Sequence, residues 1–124
     1  MAALVAMAAA MSIAGMRDHR RVLIVAAPAA DDPRLRTQRA GLAAWGAGAA
    51  DRDLAVVEVV GRVVSGAADD AGSLRAAYHL PPGAFMVVLV GKDGHVAHRS
   101  GEPVSAAILQ GTIDAMPMRR AGKR

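Results

Sequence analysis

Polar side chains that could take part in chemistry gather where a buried strand turns into a helix. Residues 22–38 read VLIVAAPAADDPRLRTQ, and they place Asp31, Asp32 and Arg34 at the start of that helix. Ligands of open α/β sheets bind at the carboxyl ends of strands, so these three side chains form the first candidate binding set. The adjacent carboxylates could contact a divalent cation or another ligand. They could equally cap the helix and complement its dipole, and their charge disfavours a phosphate there.

A second candidate set lies near the end of the chain, in the segment IDAMPMRR. Met116 and Met118 flank a proline there, and Arg119 follows them. Because methionine adapts to irregular partners at interaction surfaces, we include Met116, Met118 and Arg119 among the candidate binding residues. We expect one of the two methionines to pack in the core, and the exposure of the other stays open.

The chain contains no cysteine. A disulfide, a thiolate nucleophile, a cysteine-ligated zinc ion and an iron–sulfur cluster are therefore excluded. His95 and His98 stand three positions apart in a strand-like segment, so their side chains point to opposite faces and cannot readily share a metal ion. No GxSxG, HExxH or Walker-type spacing occurs. The sequence thus predicts no catalytic residue, no metal site and no cofactor.

The basic charge of the chain raises the question of nucleic acid. The formal net charge is +4, and all but Lys92 and Lys123 of the fifteen basic residues are arginine. Seven of the fifteen lie in residues 17–21 and 119–124, and aromatic residues make up only 2% of the chain. Because single-stranded nucleic acid is held by aromatic stacking as well as by charge, the composition does not favour this partner.

Apolar runs define the elements that must position these side chains. Four segments have the length and composition of strands: Val22–Ala27, Leu54–Val60, Phe85–Val90 and His95–Ser100. Asp32 and Pro33 suit the N-cap and the first position of the first helix. Its residues Leu35, Leu42 and Trp45 share one face, and the helix is predicted to end in the segment GAGAADRD.

The remaining helices follow from caps and prolines. Residues 61–72 are predicted as loop, and Ser73 as the cap of a short helix over Leu74–His79. Pro103 opens a last helix, which Pro117 stops. The apolar residues along one side of that helix are Val104, Ala107, Ile108 and Ala115.

These elements have the order β-α-β-α-β-β-α. The short GKDG connection makes the last two strands an antiparallel hairpin, while the first two pair in parallel through a right-handed crossover. The predicted fold is therefore an α/β sandwich, with a mixed four-stranded sheet flanked by helices. Glu58, inside the second strand, would be costly if buried unpaired, so we expect it to pair with an arginine or to reach solvent at the strand end.

Four stretches of the chain resemble a family of small bacterial thioredoxin-like proteins of unknown function. They are RVLIVAAPAADDPRLRTQ, RDLAVVEVV, GKDGHVAHRS and IDAMPMRR. The family is related to a domain of animal extracellular-matrix proteins that carry sushi repeats. The resemblance covers residues 20–120, and it implies a thioredoxin-like sandwich without a known activity.

The resemblance also indicates what a redox protein of this fold needs and this chain lacks. Residues 30–33, Ala-Asp-Asp-Pro, stand where a redox-active thioredoxin carries its two cysteines. Phe85 stands where its cis-proline would face them. Thiol–disulfide exchange and thiol peroxidase chemistry are excluded, because both need a sulfur atom that can ionise.

The chain divides into an apolar segment over residues 1–16, a domain over residues 17–120 and a basic tail over residues 121–124. The apolar segment is too short for a comfortable membrane span, which needs about 20 residues. It resembles a signal peptide, which members of the family commonly have, and this favours an extracytoplasmic location. Its lack of a Lys or Arg argues against export, and translation from Met11 or Met16 would leave a cytoplasmic domain.

Three functional hypotheses remain. The first, which we favour, is a binding or interaction module whose partner is an unidentified protein or a small-molecule ligand. The second is an enzyme that uses Asp31, Asp32 and Arg34 without thiol chemistry. The third is a basic accessory protein that binds nucleic acid.

Overall fold

The computed structural model of the protein describes residues 11–120 and 122. Helices and strands alternate along this part of the chain in a mixed α/β fold. In chain order the elements are α1 (Ile13–Met16), β1 (Arg21–Ala27), α2 (Pro33–Trp45), α3 (Ala47–Asp51), β2 (Leu54–Val60), β3 (Val63–Ser65), α4 (Ala71–Tyr78), β4 (Met86–Val90), β5 (Val96–Ser100), α5 (Ala106–Asp114) and α6 (Pro117–Arg120).

β1 is the central strand of a sheet with the order β3-β2-β1-β4-β5. It pairs in parallel with β2 and antiparallel with β4, and the two outer pairs are antiparallel. The parallel first pair and the antiparallel hairpin of β4 and β5 confirm the sequence prediction. All seven residues of β1 are buried, as expected for a strand that is covered on both faces.

Within the described residues the sheet has five strands rather than the predicted four, because β3 forms within the segment predicted as loop. Gly61 turns the chain with a φ of +59°. β3 then pairs with the end of β2, with Val64 opposite Val59. Three residues are too few to show an alternating pattern, so only their hydrogen bonds to β2 reveal the strand.

Helices cover both faces of the sheet, which gives three layers. Side chains alternate along each strand. Ile24 and Val57 therefore face α1 and α4, whereas Leu23 and Val87 face α2 and α5. Two separate apolar clusters result, one on each side of the sheet.

Both the start and the end of α2 follow the prediction. Asp32 Oδ1 accepts a hydrogen bond from the N–H of Arg34 at 2.9 Å, and Pro33 occupies the first helical position. Leu35, one turn into the helix, is fully buried. The helix ends at Trp45, directly before the glycine-rich segment, and that segment holds a separate short helix that was not predicted. The chain bends at Gly46, where φ is +29°, and continues as the short helix α3.

Two helices begin at other residues than predicted. Asp70, not Ser73, caps α4, and its carboxylate accepts hydrogen bonds from the N–H and the hydroxyl of Ser73 at 3.2 and 2.6 Å. Ser105, not Pro103, lies at the start of α5, and its hydroxyl accepts a hydrogen bond from the N–H of Ile108 at 3.2 Å. Both Asp and Ser are good N-caps. The composition of a loop therefore does not show which of its residues starts the helix.

The core face of α5 also differs from the prediction. Leu109 and Ile113 are fully buried, whereas Ile108 is 51% exposed. The buried pair has the same i, i+4 spacing as Val104 and Ile108, so this segment carries two apolar stripes. Packing on the sheet selects one of them.

The described part of the apolar N-terminal segment packs on the domain. Ile13 and Met16 are buried in the core, and the N–H of Ile13 donates a hydrogen bond to Asp69 at 2.8 Å. Residues 1–10, which carry most of the predicted signal-like segment, lie outside the described residues, as does most of the predicted tail. Among the helices of residues 11–120, none has the length and hydropathy that a membrane span requires.

We expect Asp32→Ala to lower the free energy of unfolding by about 1 kcal/mol, because it removes the N-cap of α2. The matched control is Asp31→Ala, since Asp31 is exposed and takes no part in the cap. Urea denaturation of the wild type and both variants measures the difference. An Asp32→Ala protein as stable as the control would contradict this role of Asp32.

Candidate functional site

The first candidate set lies at the carboxyl end of β1, where Asp32 and Arg34 already have partners. Arg34 Nε lies 3.4 Å from Asp32 Oδ1, and its guanidinium lies 5.8 Å from the centre of the Phe85 ring. Arg34 also lies 3.9 Å from a carboxylate oxygen of Glu102. Asp31 is exposed beside them. These contacts join the start of α2 to the segments that precede β4 and α5.

The carboxylate of Asp32 is therefore used within the fold. It is 8% exposed, and its Oδ1 accepts hydrogen bonds from the backbone N–H and from the side-chain Nε of Arg34. Phe85 is buried against the same helix start, and all peptide bonds of the described residues are trans. Among these residues, no group of three His, Asp or Glu side chains could hold a metal ion.

Glu58 pairs with Arg39, which confirms the expected ion pair. Arg39 donates two hydrogen bonds to the two carboxylate oxygens, at 2.8 and 2.6 Å. The hydrogen bond to Glu58 raises the pKa of Arg39 above its usual value. This contact joins α2 to β2 across the layer and supports a structural role for Glu58.

Gln38 is a buried polar residue that the sequence analysis missed. Its side-chain amide donates to the carbonyl of Val104 at 3.0 Å and accepts from the N–H of Val104 at 2.7 Å. Gln38 thereby fastens α2 to the chain before α5. Its position offered a signal, because it lies three residues after Leu35 and four before Leu42, on the apolar face of the helix.

The second candidate set lies at the amino end of β1, in a cluster of charges. Arg52 donates two hydrogen bonds to Asp114, both at 3.0 Å. Arg119 contacts Asp114 at 3.2 Å and Asp51 at 2.5 Å. The candidate Arg119 is thus engaged in ion pairs, and its hydrogen bond to Asp51 raises its pKa. A separate pair, Lys92 with Asp53 at 2.9 Å, lies at the same end of the sheet.

Arg21 is the residue of this cluster that sequence analysis did not single out. It is 1% exposed. Its Nη1 donates to the backbone carbonyl of Arg52 at 2.8 Å, and its Nε donates to the sulfur of Met116 at 3.3 Å. Burial, followed by the charge of Arg119, lowers its pKa. In the sequence it looks like one more arginine of a basic run, and nothing marks it as buried.

Met116 and Met118 line an apolar groove next to Arg21. The groove has a volume of about 440 Å³, and we call it the Met116 groove. Met116 is partly buried against the core, whereas Met118 is 38% exposed. The walls come from α6, the chain before it and the start of β5: Val96, Ala97, Met116, Pro117 and Met118. Arg21 lies at its base, and the exposed side chains of Asp93 and His95 lie at its rim.

The two candidate sets do not form one site. Met116 contacts Arg21, which is the first residue of β1. Asp32 and Arg34 come after Ala27, which is the last residue of β1. A strand of seven residues spans roughly 20 Å. Any ligand of ordinary size would therefore contact one set or the other.

The ion pairs of Asp114 predict a dependence of stability on pH. The hydrogen bond from Arg52 lowers the pKa of Asp114 in the folded state. A carboxylate with a lowered folded pKa stabilises the protein above its unfolded pKa, about 3.9, and this stabilisation is lost as pH falls through the folded pKa. We therefore expect Asp114→Asn to be less stable than the wild type at pH 7, and the gap to narrow below pH of about 4.

Urea midpoints measured from pH 7 downward test this expectation. Asp31→Asn is the control, because Asp31 is exposed and lies outside the cluster. A gap between Asp114→Asn and the wild type that stays constant with pH would contradict the coupling of Asp114 to its arginines.

A comparison with protein families finds one match. The model described as "Domain of unknown function (DUF4174)" matches residues 12–122. No curated protein matches the chain. The match spans β1 with both candidate sets, and it confirms the expectation of a family of unknown function. The chain therefore belongs to the DUF4174 family of domains of unknown function.

Proposed function

We propose that this protein is a non-catalytic binding module on a thioredoxin-like scaffold, and that the Met116 groove is its ligand site. The observation that carries the proposal is the contrast between the two ends of β1. At the carboxyl end, Asp32 and Arg34 are bound to each other and to their surroundings. At the amino end, exposed apolar side chains surround a groove with one buried cation at its base.

The thioredoxin-like part of the proposal is supported by the topology. A parallel pair, β1 and β2, is followed by an antiparallel β4 and β5 in one sheet, with helices on both faces. Phe85 precedes β4 and contacts Arg34 at the start of α2, which is where such a scaffold places the residue that faces its active-site loop. Without cysteine, that loop cannot exchange thiols.

The groove has the properties of a small-molecule site. Ligand pockets have volumes of roughly 300–1,000 Å³ and are lined by apolar side chains with few polar groups. The Met116 groove falls within this range, at about 440 Å³. Two methionines give it walls that adapt to different ligand shapes.

Ligand-observed NMR against a library of small molecules tests the proposal. We expect binders of the wild type, and we expect Ala97→Trp to abolish their signals. Ala97 is exposed on β5 and lines the groove, so an indole there fills the groove without entering the core. The control is Val63→Trp, because Val63 is 65% exposed on β3, at the opposite edge of the sheet.

Binders that tolerate Ala97→Trp but are lost with Asp31→Ala would place the site at the first loop and contradict the proposal. A library without a single binder would do so as well. Turnover of a bound compound would favour the enzyme hypothesis instead.

A further inference from the structure

The base of the Met116 groove holds a buried cation, Arg21, which forms no salt bridge with a carboxylate of the described residues. Among the described residues, none of the Asp and Glu oxygens lies within the 4.0 Å of a salt bridge to Arg21, although six other arginine, lysine or histidine side chains make one. A buried charge is costly unless it is paired. Arg21 instead contacts a backbone carbonyl and the sulfur of Met116, and sulfur is only a weak acceptor.

The neighbouring carboxylates are bound to other cations. Asp114 binds Arg52 and Arg119, and Asp53 binds Lys92. Burial and the charge of Arg119 lower the pKa of Arg21, while the charges of Asp53 and Asp114 raise it. Arg21 is the most deeply buried of the basic residues at this end of the sheet, at 1% exposed against 9% for Arg52 and 7% for Lys92.

The guanidinium of Arg21 keeps donors for a ligand. A guanidinium has five N–H donors on three nitrogens. In Arg21, Nε and Nη1 have acceptors, while Nη2 makes no hydrogen bond to any residue that the structure describes. Because Arg21 lines the Met116 groove, these donors are the polar anchor that the groove offers at its base.

We infer that the Met116 groove binds an aliphatic monocarboxylate. Its carboxylate accepts hydrogen bonds from Arg21, and its hydrocarbon chain lies against Met116, Met118 and Val96. This inference rests on the proposed function of the groove and adds the chemistry of the ligand. It is supported by charge complementarity, because a single negative charge compensates Arg21, and by the apolar walls.

The rim of the groove argues against more highly charged ligands. The side chain of Asp93 lies there, with its carboxylate 3.3 Å from His95 Nδ1. The backbone N–H of His95 lowers the pKa of Asp93, so Asp93 is negatively charged at pH 7. A phosphate or a dicarboxylate would place a second negative charge towards this residue.

Titration of the full chain with octanoate, followed by NMR chemical shifts, tests the inference. The comparison ligand is octanamide, which has the same shape without the charge. Hydrogen bonds to a charged group contribute more than those to a neutral group, so we expect octanoate to bind at least about tenfold more tightly than octanamide, a difference of about 1.4 kcal/mol. Equal affinities for the two ligands would overturn the role of the carboxylate.

Two variants locate the interaction. Arg21→Met removes the charge but retains the length of the side chain, and we expect it to abolish the preference for octanoate. Met118→Glu places a negative charge in the groove from an exposed position, so it does not depend on replacing a buried residue. We expect it to lower the affinity for octanoate by at least about tenfold, and to lower the affinity for octanamide by less. Its control is Ile108→Glu, because Ile108 is an exposed apolar residue of α5 outside the groove.

The result with Ala97→Trp separates this inference from the proposed function. If library ligands bind and are lost with Ala97→Trp, but octanoate does not bind, the groove is a ligand site and the monocarboxylate assignment is wrong. If octanoate binds equally to the wild type and Ala97→Trp, its site lies elsewhere and the inference is overturned. Unchanged octanoate affinity in Met118→Glu would also overturn it.

Discussion

The fold depends on the burial of β1 on both faces and on hydrogen bonds along both of its edges. A strand in that position must present apolar side chains to two cores at once. Its neighbours must do the same, and Ile24 lies opposite Val57 of β2 and Val88 of β4. Helices must then cover each face, because the apolar surface would otherwise remain in water. The three-layer architecture follows from this one requirement.

The same constraint makes the two ends of β1 chemically different. At the carboxyl end the chain leaves the sheet through the short loop of residues 28–31. Asp32 then caps α2, and Arg34 contacts Phe85. At the amino end the strand begins with Arg21, whose side chain lies on the same face as Leu23. That arginine is carried into the interior by the strand itself, and its backbone N–H is held by the carbonyl of Asp53 at 3.0 Å. Its charge is therefore buried because of where β1 lies in the sheet.

The predictable parts of the fold are those with local causes. The apolar run of β1 and the Asp32-Pro33 start of α2 were predicted correctly, because strand burial and helix capping are readable from a few adjacent residues. Glu58 was expected to pair with an arginine or to reach solvent, since an unpaired buried carboxylate in that strand would be costly. The five-stranded sheet and the caps of α4 and α5 were not predicted. In each case several local solutions were compatible with the sequence, and contacts with other elements selected one.

The sequence by itself determined that this protein has no thiol chemistry, that Val22–Ala27 forms a buried apolar strand, and that a helix begins after Asp32. These properties follow from composition and from interactions over a few residues. Only the tertiary structure decided that Gln38 binds Val104, that Leu109 rather than Ile108 faces the core, and that Arg21 lies at the base of a groove. The physical reason is separation along the chain: Gln38 and Val104 are 66 residues apart, and Arg21 and Met116 are 95 apart. Burial and charge compensation at such positions depend on partners that no local pattern contains.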